Sequence, residues 1–110
     1  MILITGGVYQ GKLKLAKEIA CPETTILDNC DQQIRQQVSE GKSPKEIMEF
    51  WKTAASGDKI LIFNDVSMGI VPMDKEERIF RETVGKVTVM LAENADSVYR
   101  VFCGISKRIK

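Results

Sequence analysis

Ile2-Leu3-Ile4-Thr5-Gly6-Gly7-Val8-Tyr9-Gln10-Gly11-Lys12-Leu13 is the stretch on which the fold turns. Ile2-Leu3-Ile4 is a continuous apolar run of the kind found in strands buried on both faces. Gly6-Gly7 ends that run. From residue 12 to 20, Leu15, Ala16, Ile19 and Ala20 recur at helical spacing until Cys21-Pro22 stops the pattern. Strand, glycine-rich turn and helix thus follow in the order a β-α unit needs. Gly6 to Lys12 also fits the pattern G-x-x-x-x-G-K, in which backbone N–H groups cradle phosphates and the lysine reaches the outer ones. A chance match in a chain of this length has a probability of only about 0.03. The plainer alternative is a glycine-rich turn followed by a surface lysine.

Gly6, Gly7, Val8, Tyr9, Gln10, Gly11, Lys12 and Leu13 are therefore the candidate nucleotide-binding residues. Tyr9 and Gln10 either contact a ligand or serve as solvent-facing spacers. Leu13 stands where the pattern wants Ser or Thr, whose hydroxyl would bind the Mg²⁺ that bridges the outer phosphates. Its side chain offers no oxygen, so the anion cradle is expected to survive with an impaired metal site.

Further along, Thr24 to Asp28 reads as a second short strand ending in a carboxylate, and Gln32 to Glu40, polar apart from Ile34 and Val38, as a surface helix at best. Ser43-Pro44-Lys45-Glu46 combines a capping residue, a proline at the first helical position and an acidic first turn. Ile47, Trp51 and Ala54 follow at i, i+4 and i+7, predicting a helix that ends near Ser56-Gly57 with Trp51 in the core. Lys59 to Phe63 is the strongest strand pattern, with Asn64-Asp65 at its end, and Met68 to Pro72 reads as a loop. Phe80, Val84, Val87 and Leu91 predict an amphipathic helix over roughly residues 74–95, weakened by Gly85, and Ser97 to Phe102 a final strand.

Strands alternating with helices imply a mainly parallel sheet, because parallel neighbours need crossover connections. With the loop pattern, the expected fold class is α/β: a P-loop, RecA-like three-layer domain with a small, mainly parallel sheet, spanning residues 1–110 as a single unit. In such folds ligands bind beyond the carboxyl ends of the strands. Gly6, Asp28, Asn64 and Asp65 would converge there.

The 110 residues suit one compact core, and 44% hydrophobic and 28% charged residues give no compositional case for disorder. Sixteen Lys+Arg against fifteen Asp+Glu, a net charge of +1, imply neither a nucleic-acid nor a membrane partner. The opening apolar run is too short for a signal or spanning segment, so a cytoplasmic protein is expected. Cys21, Cys30 and Cys103 fit no disulfide framework or zinc knuckle. The chain has no histidine, so it cannot supply imidazole metal ligands or a histidine nucleophile.

Asn64-Asp65-Val66-Ser67-Met68-Gly69-Ile70-Val71-Pro72 resembles the Asn-Glu-Val-Gly-x-Gly-Ile-Val-Pro segment of the bifunctional adenosylcobinamide kinase and adenosylcobinamide-phosphate guanylyltransferase family. The resemblance continues through Arg78-Ile-Phe80-Arg81, Leu91-Ala92, Ala95-Asp96-x-Val98, Gly104-Ile105 and Lys110. Thr5-Gly6-Gly7 and Gly11-Lys12 are similar to that family's phosphate loop, and Ile26-Leu27-Asp28 to its strand ending in Asp-Cys-Leu, with Asn29 intruding before Cys30. The departures gather where chemistry would be. Besides Leu13, Asp65 shortens a glutamate, Ser67 and Ser106 replace a glycine and a proline, and Thr88-Val89 stand for Asn-Gln. The segment carrying the family's guanylylated histidine is missing.

The resemblance implies a cobalamin-biosynthesis kinase that takes ATP or GTP and phosphorylates a hydroxyl of a cobinamide. Lys12, Asp28 and Asp65 would be its catalytic residues, with Mg²⁺ held by Asp28 or Asp65 directly or through water. Nucleotide and corrinoid would be its partners, and a homo-oligomer its expected assembly. Each aspartate also has a plain reading, Asp65 capping a turn and Asp28 facing solvent. Arg78 and Arg81, three apart on one helix face, could clamp a phosphate, although Glu76, Glu77 and Glu82 favour an ordinary exposed face. The competing function is a non-catalytic descendant that binds nucleotide or phosphate weakly, or serves a protein partner. Leu13 and the lost histidine favour it.

Overall fold

The computed structural model describes residues 1–65 and 74–110. The expected loop from Met68 to Pro72, and the family-like segment from Val66 onward to Pro72, lie outside the described residues. The element order is β1 (Ile2–Gly6), α1 (Lys12–Ile19), β2 (Thr25–Leu27), α2 (Cys30–Ser39), α3 (Pro44–Ala54), β3 (Lys59–Asn64), α4 (Lys75–Asn94), β4 (Ser97–Phe102) and β5 (Ile105–Arg108).

The five strands form one sheet in the order β2-β3-β1-β4-β5, parallel except for β5. Strand alternation divides the apolar side chains between two layers. On one face Leu3, Leu61, Phe63 and Val98 pack with α2, α3 and α4 through Ile34, Trp51, Phe80, Val87 and Leu91. On the other, Ile4, Ile60, Ile62 and Val101 pack with Ala16 of α1. The result is the expected three-layer α/β arrangement, with β1 central and the loop that follows it opening at the carboxyl ends of β1, β3 and β4.

The local signals act as read. Ser43 accepts from the Glu46 N–H and Glu46 reaches back to the Ser43 N–H, closing a capping box with Pro44 at the helix start. Trp51 is fully buried, and α4 runs through Gly85 unbroken. Two expectations need correction. Residues 30–39 form more than a surface helix, because Cys30, Asp31, Ile34, Gln37 and Val38 of α2 are buried. Gln37 can take an inward position because its Oε1 accepts the Trp51 indole N–H at 2.9 Å. The sheet also has a fifth strand that was not expected. Cys103 and Gly104 both have positive φ (51° and 74°), the backbone of a tight turn that matches the twist of an antiparallel pair.

Candidate phosphate-binding site

The loop between β1 and α1 begins at Gly6, whose Cα passes so close to β4 that a Cβ there would collide with the Val101 carbonyl oxygen. Gly6 is therefore required by packing as well as by the turn. Gly11, at φ 94°, caps α1 in the left-handed region, a conformation that glycine adopts without steric penalty. Tyr9 at the tip has φ 60° and is wholly exposed. Two bonds tie the loop to the last hairpin: the Gln10 carbonyl accepts the Gly104 N–H at 3.1 Å, and Gln10 Oε1 accepts the Cys103 N–H.

Lys12 is the first residue of α1 and is only 6% exposed. Its ammonium folds back into the loop and donates to the Gly7 carbonyl. Burial lowers its pKa below the usual lysine value, while Asp28, Asp65 and Asp31 pull the other way. A cation held among backbone groups at a helix start is what an incoming polyanion would meet.

Around the ammonium lies a cavity of about 350 Å³ lined by Val8, Tyr9, Gln10, Gly11, Lys12, Leu13, Lys14, Asp28, Asn29 and Asn64. Seven of the eight expected loop residues, Gly7 to Leu13, surround or brace this space, and Gly6 opens the turn. Asp28 contributes from the end of β2, with Oδ1 accepting the Asn29 N–H at 2.8 Å. Leu13 is 39% exposed at the mouth rather than packed under the sheet.

Asp65 stands apart. Its carboxylate takes both guanidinium nitrogens of Arg100, at 3.2 and 2.7 Å, and lines a separate cavity of about 160 Å³ with Thr5, Phe63, Asn64, Arg81, Val84, Gly85 and Thr88. Arg81 is bonded to Glu77 at 3.3 Å, and Glu77 also holds Arg35 at 2.8 Å, so Arg81 is engaged in an ion-pair cluster between α4 and α2. Among the described residues no cluster of three or more His, Cys, Asp or Glu side chains could hold a metal ion. The Cys30 thiol is buried, and burial pushes its pKa up to about 12, so it is a structural group.

The sequence reading missed Asp31 and Arg100. Arg100 lies on β4, with β1 between it and β3, and nothing in the pattern of either strand signals that its guanidinium reaches Asp65. Asp31 gave no signal, because an aspartate in the first turn of a polar helix ordinarily faces solvent.

The family model described as cobinamide kinase / cobinamide phosphate guanyltransferase matches residues 21–109. The chain belongs to that family. The match begins just after α1, so the phosphate loop lies outside it. Among curated relatives, the bifunctional adenosylcobalamin biosynthesis protein CobU of Salmonella typhimurium is 45% identical over 51 residues, covering 46% of this chain and 28% of that protein. The protein of the same name from Escherichia coli is 43% identical over 51 residues, with the same coverage of both chains. The similarity thus spans little more than a quarter of either relative's length. No helix among the described residues is long and apolar enough to cross a membrane.

Proposed function

We propose that this member of the cobinamide kinase / cobinamide phosphate guanyltransferase family binds a nucleoside triphosphate, ATP or GTP, at the loop from Gly6 to Leu13 and transfers its terminal phosphoryl group to a cobinamide hydroxyl. The observation that carries this reading is the buried Lys12 ammonium, turned into the loop beside a cavity that Asp28 also lines. Phosphoryl transfer asks mainly for positioning and charge neutralisation. On binding, outer phosphate oxygens replace the Gly7 carbonyl as partners of Lys12, and the loop N–H groups take the remaining charge. Asp28 lines the cavity and would hold a Mg²⁺ carried in on the triphosphate, directly or through water. Magnesium commonly needs only one or two protein carboxylates beside the phosphates. When bound, the ion would offset charge on the transferring group. Asp65 acts at a remove: its charge favours the ammonium form of Lys12 while Arg100 holds its carboxylate.

Residues 1–110 act as one domain in this reading, in the cytoplasm and as a homo-oligomer. The absence of histidine removes guanylyl transfer through an imidazole from what this chain can do. The second reading, a non-catalytic descendant that keeps the anion cradle, is favoured by Leu13, which leaves the helix start without a metal-binding oxygen. Titrating the protein with ATP and GTP, with and without Mg²⁺, and assaying phosphate transfer to cobinamide separates the two. Lys12→Ala should abolish nucleotide binding in both. Binding without turnover favours the descendant, and binding that ignores Lys12 sinks the site.

A further inference from the structure

Asp31 is 1% exposed, and among the described residues it forms no ion pair. Its Oδ1 accepts both the Asn64 backbone N–H and the Asn64 Nδ2–H, each at 3.1 Å, and its Oδ2 accepts the Gln32 amide at 3.3 Å. Asn64 ends β3 directly beside Gly6, the first loop residue, and lines the Lys12 cavity. Its second amide hydrogen goes to Asn29 Oδ1, also at 3.1 Å. Both hydrogens of the Asn64 amide are therefore committed. The orientation is chemically forced, because a carboxylate offers no proton to Asn64 and so must face the NH₂ side. Asn64 Oδ1 then points away from Asp31 and Asn29 and accepts from no donor among the described residues.

An acceptor that meets no donor among the described residues, placed beside an anion site, repels phosphate oxygens and suits a hydrogen donor, and the O–H groups that a hydrated magnesium nucleotide and a hydroxyl acceptor bring are donors of that kind. We propose that Asp31 is a positioning residue of the phosphate site, holding the Asn64 amide so that its Oδ1 receives an O–H from the bound substrate complex. This rests on the phosphate-site reading above. The O–H belongs either to a water on the magnesium ion or to the hydroxyl that accepts the phosphoryl group.

The test compares wild type, Asp31→Asn, Asn64→Ala and the double variant. Asn64→Ala keeps the backbone N–H that Asp31 also holds, so it reports on the amide even where Asp31→Asn fails to fold. ATP affinity is measured with and without Mg²⁺, and cobinamide affinity in the presence of a non-hydrolysable ATP analogue. Loss of one such hydrogen bond corresponds to roughly a three- to tenfold weakening. A loss of that size confined to Mg²⁺-ATP assigns the water. A loss confined to cobinamide assigns the acceptor hydroxyl. In either case the double variant should be no worse than Asn64→Ala, since Asp31 acts through the amide. The proposal is overturned if Asn64→Ala changes neither affinity, if a folded Asp31→Asn binds like wild type while Asn64→Ala does not, or if the two losses multiply. Wild-type protein without Lys12-dependent ATP binding would remove the phosphate-site reading and this proposal together. Intact Lys12-dependent binding with any of the overturning results removes this proposal alone.

Discussion

The ammonium of Lys12 is held against its own solvation preference. Burial lowers its pKa, and the three nearby aspartates, although they favour the charge, do not restore the ordinary value. In the unfolded chain the lysine titrates normally, so between the folded and unfolded pKa values the unfolded state binds more protons and stability rises with pH. Below the folded pKa the burial penalty is present in full. Lys12→Met keeps the stem and removes the charge, leaving the Gly7 carbonyl to water at the half-buried loop. It should raise Tm near neutral pH, with the advantage shrinking as pH approaches the unfolded lysine value. The same variant should lose phosphate binding. A lower Tm at neutral pH would mean that Lys12 is a net stabilising contact. Leu13 sets the complementary test. If it has only removed a metal ligand, wild-type triphosphate binding should depend little on Mg²⁺, and Leu13→Ser should introduce a dependence of about 1 to 2 kcal/mol. Because Leu13 is 39% exposed, the change should shift stability by no more than about 0.5 kcal/mol. Strong Mg²⁺ dependence in wild type would show that the ion is held without a hydroxyl at residue 13.

Among the elements, α2 shows how polar residues become structural. Gln37 and Trp51 lie on different helices and meet through one buried hydrogen bond, so α2 docks on α3 by a donor–acceptor match as well as by Ile34 and Val38. Gln37→Ala strands the indole N–H and should cost about 1 to 3 kcal/mol in urea unfolding. Gln33→Ala, on the exposed face of the same helix, should stay within about 0.5 kcal/mol. Equal effects of the two would mean that the indole finds water instead. This pair also marks where sequence reading stops. The capping box of α3, the apolar stripe of α4 and the Lys59 to Phe63 run are local patterns, and each produced the element it promised. The burial of Gln37 depends on a tryptophan fourteen residues away, and that of Asp31 on the end of β3, neither visible in a helical period. β5 was hidden because Ile105-Ser-Lys-Arg108 is a short, fully exposed strand, so its pairing reflects the Cys103-Gly104 turn more than an apolar pattern. At the site, the loop was legible because its glycines and lysine are contiguous. The capture of Asp65 by Arg100 was not, because it joins strands 35 residues apart.

At the scale of the molecule, the phosphate loop and the last hairpin form one mechanical unit, although 93 residues separate Gln10 from Cys103. The loop's midpoint is bonded twice to the β4–β5 turn, and a Cβ on Gly11 would already touch the Gly104 Cα at 3.7 Å. A ligand that orders the loop should therefore order the turn, because opening the Gly104 amide requires moving Gln10. Free ligand at a hundred times its Kd stabilises the binding-competent state by about 2.7 kcal/mol, equivalent to a roughly hundredfold slowing of any exchange that needs the ligand to leave. Amide hydrogen exchange with saturating triphosphate should thus slow at Cys103 and Gly104 as well as in the loop. The Glu46 amide, an exposed helix-start group held by Ser43 within its own capping box, provides a comparison that should hardly change. Gln10→Ala removes one of the two ties, and the turn should then gain less protection than in wild type while Lys12 still binds. Loop amides that become protected while Cys103 and Gly104 exchange as before would show that the hairpin only rests against the loop, and that the anion site is organised by β1 and α1 alone.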